Sequence, residues 1–132
     1  MKLATNKELK DMFIMMNERF FGNSIDADTE VRFAIRLDDK EQLGNDCDGA
    51  YMRTEKLILI DASLRKYGRL VQCILIHEMI HADLPHHVSQ PDTEDHGMLF
   101  HHKVVNLFHA GAYDGLLIFI VSVLLFVTKG IV

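Results

Sequence analysis

Between Leu70 and Leu84 the chain reads LVQCILIHEMIHADL, an apolar run with two histidines and a glutamate set into it at His77, Glu78 and His81. A stretch this apolar predicts a helix buried in the middle of a small domain, over about Arg69 to Leu84, with Pro85 stopping it. Titratable groups in such a helix are costly unless they have partners, so their presence demands a reason. Residues four apart share one face of a helix, and His77 and His81 therefore offer two imidazole nitrogens to one point, each at about 2 Å from a shared metal ion. Glu78 projects beside that point and off the ligand axis, where a carboxylate takes a proton from water without becoming a ligand. Neutral imidazoles suit zinc, which lowers the pKa of water to about 7 and polarises a carbonyl. The chemistry these residue types point to is hydrolysis of a peptide bond.

A catalytic zinc takes three protein ligands and keeps a position open. His96 is the expected third, beyond a loop long enough to reverse the chain and at the start of a further helix. Glu94 and Asp95 are the alternatives, since carboxylates also serve; His86, His87, His101, His102 and His109 read as surface or supporting residues. Tyr51 and Tyr113 are the available oxyanion donors, although each reads more simply as a core or sheet-edge tyrosine.

The rest of the chain predicts one α+β domain. Leu9, Met12, Phe13, Met16 and Phe20 follow helical spacing from Asn6, and Gly22 and Asn23 end that helix. Val31, Phe33, Ile35 and Leu37 alternate with Arg32, Ala34 and Arg36, the pattern of a strand with one wet face. Asp38 to Gly49 reads as a solvated loop; its acidic residues do not meet the spacing of a calcium loop. Ala50 to Arg53 and Lys56 to Ile60 read as strands joined by a turn at Thr54 and Glu55, completing a small antiparallel sheet. Asp61 and Ser63 are N-cap residues for the helical stretch after the sheet, with Gly68 as a break in it. The last helix is expected over about Gly97 to His109, with Leu99, Val104, Leu107 and Phe108 among its apolar positions.

With 132 residues, 48% of them hydrophobic, the chain has enough apolar surface for one core without disulfides. A net charge of −5 argues against a basic surface that wraps nucleic acid, and Arg53, Lys56, Arg65, Lys66 and Arg69 read as solvated positions. Two cysteines, Cys47 and Cys73, form neither a disulfide framework nor a CxxC pair, and the N-terminus shows no apolar signal region, so a reducing, intracellular setting is expected. Cys73 reads as a small buried hydrophobe.

HEMIHADL followed by EDHGMLF resembles the SprT-like, or Spartan, metallopeptidase family, in which HExxH is followed by a His-Gly-x-x-Phe helix; Gly97 and Phe100 match that second element. MNERFFG is similar to the family's first helix, and the GAY and LILIDASL segments to the sheet edge before the zinc helix. The resemblance implies a zincin-like α+β fold, zinc held by His77, His81 and His96, and Glu78 as general base. It also implies a protein substrate, in some members one crosslinked to DNA, a role the acidic balance here does not favour. The chain lacks the cysteine-rich subdomain and long tails of many members and is similar in that respect to stand-alone phage and viral forms. Residues 1–115 are the expected peptidase domain.

Leu116 to Val132 is hydrophobic, interrupted only by Ser122, Thr128, Lys129 and Gly130. Its length falls between a buried segment and a membrane span. It is expected either to associate with a membrane, with Lys129 at an interface, or to pack on the domain or on a partner subunit. A non-catalytic zinc-stabilised binding module and a membrane-tethered protease are the competing functions.

Overall fold

The computed structural model describes residues 2–44, 47–84 and 97–114. Helix α1 spans Asn6–Phe20. Thr5 caps it reciprocally: its hydroxyl accepts from the Glu8 N–H at 3.1 Å, and the Glu8 carboxylate accepts from the Thr5 N–H at 3.2 Å. Leu9, Phe13 and Met16 are buried on its inner face, and Gly22 and Asn23, both in the left-handed region, turn the chain away. Buried Asn17 then pairs with Ile25 in both directions, its amide donating at 2.8 Å and its carbonyl oxygen accepting at 3.2 Å, which fixes the loop to the helix.

Strands β1 (Glu30–Ala34), β2 (Gly49–Met52) and β3 (Leu57–Asp61) form one sheet in the order β1-β3-β2. β3 runs antiparallel to β2 and parallel to β1, so the sheet is mixed and not the antiparallel one expected. The hairpin explains this. The connection from β1 carries the chain across to the far edge, β2 descends there, and β3 returns between them in the direction of β1.

β3 is LILID, with its first four residues buried, as befits a central strand covered on both faces. Val31 faces Ile58 and Phe33 faces Ile60, and this face packs with α1 and with α3 (Gly68–Asp83) into the main core. The other face carries Ala34, Leu57 and Leu59, covered by Leu43.

Leu43 belongs to α2, Leu37–Leu43, where a loop was expected. β1 stops at Ala34, and Ile35 and Leu37, assigned to the strand's buried face by their alternation, are exposed. The reason lies in a buried ion pair. The Asp39 carboxylate, 1% exposed, accepts from the Arg32 guanidinium, and this satisfies a charge that looked solvated while pinning α2 over the sheet. A guanidinium so close holds the Asp39 carboxyl below the usual carboxylate range.

After β3, Asp61 caps a short 3-10 turn over Ala62–Leu64, accepting from Ser63 N–H at 3.0 Å, and α3 starts at Gly68. Helix α4, Met98–Ala110, buries Phe100, Val104 and Leu107, whereas Leu99 and Phe108, expected among its apolar positions, are about half exposed. Gly111, at φ 92°, lets the chain reverse so that Ala112 and Tyr113 return to the core. No helix among the described residues is long and apolar enough to cross a membrane, and the hydrophobic segment 116–132 lies outside them.

Candidate metal centre

Helix α3 is buried continuously from Leu75 to Ile80, which places His77 and Glu78, 8% and 3% exposed, inside the core. His81, one turn on, is only partly covered. The two imidazole rings stand 5.0 Å apart between centroids with their planes at 71°. Two imidazoles sharing one ion at about 2 Å, at a near-tetrahedral angle, have centroids roughly 5 Å apart, a separation this pair matches. Phe100 of α4 closes over both: its ring lies 4.8 Å from His77 and 4.8 Å from His81. It matched the motif on sequence; its contact with both rings did not show there.

Glu78 faces the sheet. A Cβ built on Gly49 would stand 2.6 Å from Ile74 Cγ2 and 3.3 Å from Glu78 Cγ, so the backbone of β2 lies close against α3, with no room for a side chain beside Ile74 and Glu78 in tight reach. On sequence Gly49 stood out only as the first residue of the GAY segment; its contact with α3 did not show there.

Further along the same hairpin, Arg53 donates from Nη2 to the His81 carbonyl at 3.1 Å, and its guanidinium carbon lies 5.4 Å from the Tyr51 ring centroid. That bond satisfies one of the carbonyls left open at the end of α3, and a cation is favoured there by the helix dipole. Arg53 is therefore not simply solvated. Arg65 likewise donates to the Ala4 carbonyl at 2.8 Å, and Lys56 pairs with Asp26 at 2.6 Å.

The two tyrosines separate. Tyr113 is buried and near enough to Cys73, in the first half of α3, for the two to interact; burial pushes its hydroxyl pKa up. Tyr51 is half-buried on the α3 side of β2, between Gly49 and Arg53. His102 and His109 are exposed on α4 and His101 is half-buried.

Among the described residues no three histidines, cysteines or carboxylates converge as a metal-binding group. They bring together His77 and His81, with Glu78 beside them. His96, expected to complete the set, and Glu94, Asp95, His86 and His87 lie outside the described residues.

Comparison with known proteins agrees with this frame. No curated protein and no solved structure matches the chain. A family model, that of the SprT-like family, matches residues 9–113, from the first buried leucine of α1 to the tyrosine that comes after α4. That interval takes in all or most of each helix and strand described above and well over half of the chain's 132 residues, and the chain belongs to the SprT-like family.

Proposed function

We propose that this protein is a zinc-dependent peptidase that hydrolyses peptide bonds in protein substrates, with residues 1–115 as its catalytic domain. The observation that carries the reading is a pair of imidazoles, one buried and one partly covered, at a spacing suited to one ion, with a buried carboxylate next to them on the same helix. Ionisable groups placed in an apolar helix cost stability unless they have polar or charged partners, so a cluster of three there asks for a reason. His77 and His81 would hold the metal, with His96 as the third ligand. The chemistry zinc supplies at such a site is activation of water and polarisation of a carbonyl.

Glu78 takes the proton as water attacks the scissile carbonyl and returns it to the leaving amine, one carboxylate serving as base and then acid. Its seat against Gly49 keeps the side chain in place for both transfers. β2 is an edge strand, and among the described residues its outer side pairs with no further strand. An extended substrate segment can lay its backbone along that edge, within reach of Glu78, as peptides do when they add to a sheet. Tyr51 is the better placed of the two tyrosines to donate to the developing oxyanion.

Replacing Glu78 by Gln removes the proton acceptor and leaves both imidazoles. The expected outcome is loss of proteolysis by at least about a hundredfold with one zinc per chain retained, read by peptide cleavage and elemental analysis. Undiminished cleavage by Glu78→Gln would sink the mechanism.

A further inference from the structure

Asp83 lies in the last turn of α3, two residues after His81, and both of its carboxylate oxygens are engaged. Oδ2 stands 3.0 Å from Lys103 Nζ on α4, and Oδ1 accepts from the Ser24 hydroxyl in the loop after α1. The pair is largely withdrawn from solvent, with side chains 13% and 27% exposed for Asp83 and Lys103. Lys103 Nζ also sits 5.2 Å from the centroid of buried Phe21. The loop that supplies Ser24 is itself rigidly tied, because Asn17 holds Ile25 by two hydrogen bonds. Three segments distant in sequence therefore meet on one carboxylate at the end of the helix that carries the imidazoles.

Lys103 is one helical turn beyond Phe100, the ring that touches both His77 and His81. In the other direction along the chain, His96 precedes the first residue of α4 by two positions. The placement of α4 against α3 thus governs the cover over the imidazoles. We infer that Asp83, through Lys103 and Ser24, is a positioning residue that docks α4 on α3 and thereby sets the affinity of the metal site. The inference rests on the metal reading proposed above and adds to it a residue that touches neither metal nor substrate. Exposed ion pairs contribute little to stability, but one that is mostly buried and shared with a hydroxyl fixes geometry, and outer partners of this kind typically change metal affinity about 10- to 100-fold.

The test compares zinc affinity, by competition with a chelator, in the wild-type chain and in Asp83→Asn, Lys103→Met, Ser24→Ala, Lys103→Arg and the Asp83→Asn/Lys103→Met pair. Thermal melting of each metal-free protein and visible spectra with cobalt run alongside. We expect Asp83→Asn and Lys103→Met each to weaken zinc binding by about tenfold or more and to alter the cobalt spectrum. Metal-free melting should change little. The double variant should be no worse than either single one, because both remove the same link, and Lys103→Arg should keep wild-type affinity. Ser24→Ala, the mildest change, should fall between and guards against a variant that fails to fold. Wild-type zinc affinity in all variants, or losses that simply track metal-free melting, would overturn the inference while leaving the metal site intact. A wild-type chain that takes up no zinc would overturn the metal reading and this inference with it.

Discussion

Single side chains in this protein take their character from what covers them. Asp39 looks like a loop aspartate in DDKEQL, yet it is buried against Arg32, seven positions back in the chain. Its carboxyl is held below the usual range, so the stability it contributes is present above about pH 4, the ordinary carboxylate value, and is lost as the pH falls through its lower folded value. Asp39→Asn lacks that contribution at every pH. The difference in urea midpoint between wild type and Asp39→Asn should therefore be wide at pH 7 and narrow progressively as the pH falls below about 4; a constant difference would mean that the pair is not what stabilises α2.

Gly49 makes the same point about shape. Gly49→Ala must move Ile74 or Glu78, at a cost of about 1 to 3 kcal/mol in stability, and on the proposed function it should depress cleavage far more than zinc content, because His77 and His81 are not in its path. Melting, elemental analysis and peptide hydrolysis on one preparation separate the three effects. Neither residue could be assigned its role from sequence, since one acts through a partner brought in by the sheet and the other through the absence of a side chain.

Elements were legible wherever their pattern was local. The spacing along α1, the apolar run of α3 and the breaks at Gly68 and after Phe20 all depend on near neighbours, and those helices begin and end within a residue or two of expectation. The pair His77 and His81, with Glu78, was legible for the same reason: four residues on one helix define their geometry. The parallel pairing of β1 with β3 and the helix over Leu37–Leu43 depend on contacts across the sheet, which no local pattern encodes. For α4 the expectation held at Val104 and Leu107, which face inward together with Phe100, and failed at Leu99 and Phe108, which are half exposed.

Phe100 is the residue by which α4 bears on the imidazoles, and Phe100→Ala should cost about 3 to 5 kcal/mol through the cavity left behind. Thermal melting gives that number. Phe100→Leu should recover a good part of it and show how much of the cover is a matter of volume alone.

At the scale of the whole molecule the core is built around α3, and Cys73 reports on it. The thiol is 3% exposed and burial pushes its pKa up to about 11, so two independent barriers, access and ionisation, protect it at mildly alkaline pH. Alkylation of Cys73 in the native protein should be negligible and should accelerate together with global unfolding in urea, whereas partly exposed Cys47 should not share that dependence. Labelling of Cys73 under native conditions without loss of helical signal would reveal a local opening of α3 against Tyr113.

The unbroken burial of α3 from Leu75 to Ile80 has a consequence for descent. On the proposed function, selection for chemistry and selection for a folded chain act on the same short run of positions, so a lineage cannot adjust one without exposing the other. A descendant relieved of its reaction would have an easy route to greater stability, by exchanging His77 and Glu78 for aliphatic residues of similar volume. Lineages that retain the two polar groups against that gradient are therefore those in which the reaction is still under selection, and the identities at these two positions would serve as a record of when it lapsed.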